Sequence, residues 1–327
     1  MTKQYALSQH FSANSPLVYG CMGLGGGWTQ NPINKEDIAQ AHQAIDTALE
    51  SGISVFDHAD IYTFGKAEQV FGEVLTQRPE LREQIVLQSK CGIRFSEGNT
   101  PNRYDFSAEW ITQSVDNILK RLQTEQLDVL MLHRPDPLMD AEKVAQVFEQ
   151  LQQAGKVKHF GVSNMSAPQM SVLQASLKTP LVCNQLEISL SHLDWLEQNV
   201  VANCQGQAAS NLVAGTLEYC QLNKVQVQAW GSLSQGLFTG KPADNNSLNA
   251  QIIAQTSALV QNLANLYQVS SEAIVLAFIM RHPAAIQPVI GSTNPARIRA
   301  SAQASNITLS REHWYQLYVT ARGNNLP

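Results

Sequence analysis

Three side chains that can carry charge or protons stand at the ends of apolar segments typical of buried strands. Asp57, Lys90 and His133 follow or close the apolar runs at residues 53–56, 85–89 and 127–132. Burying an ammonium or a carboxylate alone costs several kcal/mol, so such groups need each other or a ligand. The three strand ends therefore predict a functional site.

A tyrosine completes the set. Tyr62 lies five residues after Asp57, a distance that a short loop can fold back across. If Lys90 stays charged beside Asp57, it should stabilise a nearby phenolate and lower the pKa of Tyr62 from about 10 toward neutrality. Tyr62 would then donate a proton to a carbonyl oxygen, and His133 would orient that oxygen or share its charge. Each residue alone is as often structural as catalytic, so only their joint occurrence favours a site.

The elements that must position these residues alternate between short apolar segments and longer segments of helical period. Strands are predicted over 17–21, 53–57, 85–90, 128–132, 159–162, 181–185, 225–229 and 286–290. Helices are predicted over 38–51, 67–76, 108–122, 141–153, 168–175 and 250–267, with another around Ala273; Ser107 and Ser270 or Ser271 are the candidate N-caps.

Eight strand–helix units without a linker rich in Pro or Gly predict an α/β protein with one domain, a closed (β/α)8 TIM barrel over residues 1–327. An open doubly wound sheet is the alternative. In a barrel the carboxyl ends of all strands meet at one face, so Asp57, Lys90 and His133 would converge there.

Two segments fall outside the repeat. Residues 197–215 are polar and weakly patterned, which predicts a loop insertion near the barrel mouth; a flap and an insertion without a role are equally compatible with it. Residues 306–327 are predicted to form a C-terminal helix and a short tail. Trp28, Phe64 and Trp195 are candidate apolar walls of a substrate pocket, although each could instead pack in the core.

Bulk composition narrows the function classes. The formal net charge is −5 and the lysines and arginines are dispersed, so nucleic acid is not an expected partner. No run approaches the roughly 20 apolar residues of a membrane span, and the N-terminus lacks a signal-peptide pattern, so a cytoplasmic protein is expected. Five cysteines without C-x-x-C spacing favour free thiols over a zinc site.

A hydride donor must be bound separately, because the four residues above move only protons. Gly20, Gly23 and the run 25–27 follow the first strand, but Trp28 breaks the G-x-G-x-x-G spacing of a Rossmann fingerprint. Later positions fit a cofactor better. These are Ser163, Asn164 and Gln185 for an amide, Trp230 for a ring (or for the core), Gly231, Ser232, Leu233, Ser234 and Gly236 for a pyrophosphate, and Ser292 and Arg297 for a phosphate.

Four segments in order, at residues 55–62, 89–92, 132–139 and 159–164, resemble the aldo-keto reductase superfamily, especially its YdhF-type bacterial oxidoreductases. The resemblance implies a barrel that reduces an aldehyde or ketone with NADPH and without a metal. Asp57, Tyr62, Lys90 and His133 would be the catalytic tetrad, with Tyr62 as general acid.

The resemblance also implies cofactor contacts. Ser163, Asn164 and Gln185 would hold the nicotinamide carboxamide, and Trp230 stands where the family usually has a stacking tyrosine. Gly291 replaces a lysine that many members use for the 2′-phosphate, which leaves Ser292 and Arg297 for that charge, and NADPH is expected over NADH. Further expected contacts are Gly20, Cys21, Met22, Asp57 and the loop from Gly231 to Gly236.

Two other functions compete with a reductase. The same barrel could be an NADPH-binding regulatory subunit with little turnover. A metal-dependent barrel hydrolase is suggested by residues 57–60 with His133, but His-x-His is absent and Lys90 would place a positive charge beside the metal. The expected partner is a small carbonyl substrate, whose identity the sequence leaves open.

Overall fold

Eight parallel strands close into a barrel in the computed structural model, which describes residues 4–202, 204, 212–240 and 249–327. The ten strands in chain order are β1 (Val18–Gly20), β2 (Val55–Asp57), β3 (Val86–Cys91), β4 (Ile93–Arg94), β5 (Arg103–Tyr104), β6 (Leu127–Leu132), β7 (Val157–Ser163), β8 (Leu181–Glu187), β9 (Gln226–Trp230) and β10 (Gln287–Ile290). Around the barrel the order is β1-β10-β9-β8-β7-β6-β3-β2, with every pairing parallel. The predicted single-domain TIM barrel is confirmed.

Helices cover the outside of the barrel. They are α1 (Lys35–Glu50), α2 (Lys66–Gln77), α3 (Ala108–Leu122), α4 (Ala141–Gln153), α5 (Ala167–Ser176), α6 (Asp194–Val200), α7 (Thr216–Leu222), α8 (Ala250–Tyr267), α9 (Ser271–Met280), α10 (Pro295–Ala302) and α11 (Arg311–Arg322). Ser107 and Ser270 cap α3 and α9 as predicted, since their hydroxyls accept from the amides of Trp110 and Ala273.

Burial on both faces explains why apolar residues occur on both sides of the barrel strands. All six residues of β3 and all six of β6 are buried, as expected for parallel strands enclosed by helices on one side and by the barrel interior on the other. Helix α9 is also buried from Ala273 to Met280. Within the described ranges no single helix is long and apolar enough to cross a membrane; α8 and α9 pass that test only as a pair bent by 95°.

The insertion predicted as a loop over 197–215 begins inside a helix. Helix α6 runs to Val200, so the prediction is wrong for residues 197–200, and residues 203 and 205–211 lie outside the described residues. Glu197 of α6 pairs with Arg322 of α11, the helix within the C-terminal segment, at 2.9 Å. The hairpin of β4 and β5 was also not predicted.

Candidate active site

A buried ion pair joins the ends of β2 and β3. The Lys90 ammonium lies 2.8 Å from both carboxylate oxygens of Asp57, and the two side chains are only 1% and 2% exposed. The same ammonium donates to the His58 carbonyl at 2.8 Å and lies 3.0 Å from the Tyr62 hydroxyl. The structure therefore brings together three of the four residues that the sequence singled out for chemistry, with Lys90 at their centre.

The loop after β2 bends sharply to return Tyr62 to Lys90. Thr63, Phe64 and Gly65 all have positive φ, at 49°, 60° and 84°. The first two are uncommon conformations for residues with a side chain, and the Thr63 hydroxyl supports the turn by donating to the Leu24 carbonyl at 3.1 Å. Tyr62 is thus held by a turn that its neighbours keep in a strained shape.

His133 follows β6 and faces Tyr62 across the site. Its amide donates to the Cys91 carbonyl at 2.9 Å, and its ring centre lies 6.0 Å from that of Tyr62, at 80°. Burial lowers the pKa of His133 well below its ordinary value, and the cations Lys90 and Arg134 lower it further. The imidazole is therefore neutral at neutral pH.

The phenol is not acidified as the sequence led us to expect. Burial raises the pKa of Tyr62 above its ordinary value, and this outweighs the opposing effect of the Lys90 cation, which Asp57 also partly cancels. Burial acts to lower the pKa of Lys90, but Asp57 and Tyr62 more than offset it and the pKa is raised. The prediction of a lowered tyrosine pKa was wrong, and the site holds an ammonium beside a neutral phenol.

Three buried glutamines support Asp57 from inside the barrel. Gln88 and Gln185 donate to Asp57 Oδ1 at 2.7 and 3.0 Å, and both also donate to the side-chain oxygen of Gln228. Sequence reasoning assigned Gln185 to the cofactor and missed Gln88 and Gln228. A glutamine in the middle of an apolar strand was the signal that could have found them.

The residues expected to hold a nicotinamide amide form a network of their own. Asn164, which has φ of 61°, donates to the Ser163 hydroxyl at 2.7 Å and accepts from the Trp230 indole at 3.0 Å. Ser163 in turn donates to the Gln185 carbonyl at 3.1 Å. The Trp230 side chain therefore extends from β9 across β8 to the end of β7, and the residue is only partly buried.

The loop after β9 was predicted to bind the pyrophosphate, and it lies beside the end of β10, after which α10 begins. Gly231 and Gly236 have φ of 68° and 87°, so the loop turns sharply at both. Ser232 is buried and its hydroxyl donates to the Val289 carbonyl, while the Ser234 hydroxyl accepts from Ser191. These two hydroxyls thus hold the loop, and Leu233 between them packs against the core.

Arg297 and Ser292 occupy the other predicted phosphate position. Arg297 is exposed in the first turn of α10, and within the described ranges its guanidinium makes no ion pair or hydrogen bond. The Ser292 hydroxyl accepts from the amide of Asn294, the residue that caps α10. An unpaired cation at a helix N-terminus suits an anion.

The first βα loop gives the mouth a mixed lining. Gly20 ends β1 opposite Asp57, Cys21 is buried and Met22 is 52% exposed.

Two of the three predicted aromatic walls are exposed. Trp28 and Phe64 pack edge to face with ring centres 5.4 Å apart, and Phe95 packs against Phe64 at 5.5 Å. Trp195, the third candidate wall, is 1% exposed and lies in the core against Phe278 and His282.

Comparison with known proteins agrees with the resemblance noted in the sequence. A profile of the Aldo/keto reductase family matches residues 16–318. The oxidoreductase YdhF of Escherichia coli is 36% identical over 286 residues, which cover 86% of this chain and 88% of YdhF. A 6-dehydroglucose reductase of Agrobacterium fabrum is 34% identical over 317 residues, 95% of this chain and 96% of that protein. The crystal structure of an aldo/keto reductase from Klebsiella pneumoniae in complex with NADP and acetate superposes with a TM-score of 0.66 at 24% identity, covering 96% of this chain and 93% of the other.

Proposed function

Because this chain belongs to the aldo/keto reductase family and is an oxidoreductase, we propose that it reduces an aldehyde or ketone to an alcohol with NADPH, Tyr62 being the proton donor. The observation that carries the proposal is the contact of one buried ammonium, that of Lys90, with the Tyr62 hydroxyl at 3.0 Å and with both oxygens of Asp57.

Each protonation state suits this role. A proton donor must hold its proton until the carbonyl oxygen becomes negative, and the raised pKa of Tyr62 keeps the phenol intact at neutral pH. As the proton leaves, the Lys90 ammonium stabilises the phenolate that forms, and Asp57 keeps that ammonium charged and in place. Neutral His133 can donate a hydrogen bond to the same carbonyl oxygen without competing as an acid.

The residues on the other half of the mouth fit a dinucleotide. Among the described residues a side chain at Gly231 would meet only Glu187, at 3.8 Å, so a bound group can approach the backbone there closely. Trp230 presents a partly exposed ring, and the unpaired Arg297 suits a 2′-phosphate. Ser163, Asn164 and Gln185 would hold the nicotinamide amide, and Gly20 to Met22 would contact the ribose. When bound, NADPH supplies the hydride.

The metal-hydrolase alternative finds no support in the geometry of residues 57–60. The His58 ring is buried against Phe71 with the ring centres 4.7 Å apart, and among the described residues neither that ring nor the Asp60 carboxylate hydrogen-bonds Asp57. No three His, Cys, Asp or Glu side chains in the described ranges are grouped as metal ligands.

A reducing compartment suits the cysteines. All five are free, and Cys21, Cys91, Cys183 and Cys220 are buried. We therefore place the protein in the cytoplasm, a proposal that fractionation of cells would check.

The test is to mix the purified protein with NADPH and a panel of small aldehydes and to follow NADPH absorbance. We expect aldehyde-dependent loss of absorbance and formation of the alcohol. Tight NADPH binding with no loss of absorbance for any aldehyde at any pH would instead support the regulatory subunit.

A further inference from the structure

An arginine, Arg134, stands beside the proposed proton-transfer residues and takes no part in the proposed proton transfer. Arg134 follows His133 at the end of β6 and is only partly buried. Its guanidinium carbon lies 5.2 Å from the centre of the Trp230 ring, a cation–π distance. Arg134 thus reaches across the ends of β7 and β8, from the proton-transfer half of the mouth toward the proposed cofactor half.

Arg134 differs in its partners from three other partly buried arginines. Arg82, Arg94 and Arg121 each pair with a carboxylate at 2.7 to 3.2 Å. Among the described residues the Arg134 guanidinium has no ion pair and no hydrogen bond, and it lies over the ring of Trp230.

The nearest acid in the same loop is already occupied. Asp136 accepts from the amide of Phe106 with one oxygen and from the amide of Leu138 with the other. These two hydrogen bonds hold the loop in shape, and among the described residues Asp136 makes no ion pair with Arg134. The Arg134 guanidinium therefore keeps an uncompensated positive charge at the mouth, and an anionic ligand would supply the counter-charge.

We propose that Arg134 is a specificity residue that binds a carboxylate on the carbonyl substrate, so that the preferred substrates are acidic aldehydes or ketones. This rests on the proposed function. The reaction is otherwise unchanged: a hydride passes from NADPH to the carbonyl carbon, the Tyr62 proton passes to the oxygen, and the carboxylate remains intact.

The overall charge cannot produce such a preference. The chain carries a formal net charge of −5, which on average repels anions, so selection of an acidic substrate needs a local cation. Lys90 cannot supply it because Asp57 neutralises it. The exposed aromatic rings of Trp28, Phe64 and Phe95 near Tyr62 suit an aryl group as the body of a probe.

The probe pair is para-formylbenzoate and para-formylbenzamide, which share ring and aldehyde and differ in charge. The enzymes are the wild type, Arg134→Met, Arg134→Lys and, as a matched control, Arg311→Met. Arg311 also stacks on a ring, that of Tyr315 at 5.4 Å, but it is exposed on α11. Tryptophan fluorescence gives the NADPH Kd of each variant, and thermal unfolding checks that each is folded.

We expect the wild type to prefer the benzoate. Arg134→Met should lower kcat/KM for the benzoate about 10- to 100-fold, the range of a charge-assisted hydrogen bond, mainly through KM. Its kcat/KM for the benzamide and its NADPH Kd should stay within about twofold, since neither involves the carboxylate. Arg134→Lys should recover part of the loss, and Arg311→Met should match the wild type.

Other outcomes overturn the inference in distinguishable ways. Equal losses for both aldehydes would make Arg134 a positioning residue for His133, and a weakened NADPH Kd would assign it to the cofactor. A wild type that reduces both aldehydes without preferring the benzoate refutes the specificity claim alone. A wild type that binds NADPH and reduces neither aldehyde would count against the proposed function as well.

Discussion

Two aspartates at opposite ends of the barrel are equally buried but are placed in different surroundings. Asp57 ends β2 and Asp128 lies at the start of β6; each is 2% exposed and each binds cations at 2.8 to 2.9 Å. The partner of Asp57 is Lys90, which is 1% exposed. The partners of Asp128 are Arg82 and Lys158, which are 23% and 45% exposed.

The surroundings of the two aspartates distinguish the proposed reactive end from the opposite end. A cavity of about 1090 Å³ lies beside Asp128, yet no tyrosine lines it, and the carboxylate accepts from the Leu87 amide in addition to its cations. At Asp57 the cation is enclosed and touches a phenol. A buried carboxylate or a large cavity is therefore not the basis of the proposed site, which rests on a buried cation shared by a carboxylate and a phenol.

Breaking the pair at the mouth should have the largest effect. Asp57→Asn leaves the Lys90 ammonium buried without a counter-charge, so we expect the free energy of unfolding to fall by about 3 to 5 kcal/mol. We also expect kcat to fall at least about 100-fold, because a displaced or deprotonated lysine no longer stabilises the phenolate. Urea unfolding and single-turnover kinetics measure the two losses, and near-normal kcat would show that the pair is only structural.

The corresponding substitution at the opposite end of the barrel, Asp128→Asn, should lower the stability and leave kcat unchanged. Asp128→Asn keeps an acceptor for the Leu87 amide and leaves partly solvated cations, so we expect a loss of about 2 kcal/mol in unfolding free energy. The kcat should stay within about twofold of the wild type. A large fall in kcat in this folded variant would remove the contrast between the two ends.

A change in the proposed cofactor half of the mouth should have a smaller effect. Arg297→Ala removes an unpaired exposed cation, and we expect the Kd for NADPH to rise about tenfold while that for NADH changes less than about twofold. Fluorescence titration with both nucleotides measures this. Equal changes for the two would refute the assignment of Arg297 to the 2′-phosphate.

The smallest expected effect is that of pH. The pKa of His133 lies well below its ordinary value and that of Tyr62 lies above its ordinary value, so neither group titrates between about pH 7 and about pH 9. Loss of the tyrosine proton would lower the rate of reduction only above that window, and protonation of His133 would act only below it. Burial raises the pKa of Asp60 to about 8, so the clean measurement is made in Asp60→Asn. There kcat should be flat across this window, and a decline centred near neutrality would restore the acidified phenol expected from the sequence.

The sequence was sufficient where topology alone decides the outcome. Asp57, Lys90 and His133 could be predicted to converge because each ends a predicted strand and barrel strands end at one face. The pKa of Tyr62 could not, since it depends on how completely the surrounding chain excludes water.

Sequence patterns also could not predict how individual side chains pack or where the shortest helices and strands lie. Trp195 was a candidate wall and lies in the core, because tertiary packing decides the exposure of a tryptophan. The hairpin of β4 and β5 has only two residues per strand, too few for an alternating pattern. Helix α6 has seven residues, too few to show a clear helical pattern, and the ion pair between Glu197 and Arg322 of α11 helps to stabilise it.

The most direct test of proton donation by Tyr62 is the kcat of Tyr62→Phe, measured beside Tyr315→Phe as a control on an exposed tyrosine. We predict a fall in kcat of about 100- to 10,000-fold for Tyr62→Phe, with the NADPH Kd within about twofold of the wild type and no change in the control. A Tyr62→Phe protein that reduces aldehydes at nearly the wild-type rate would contradict the account.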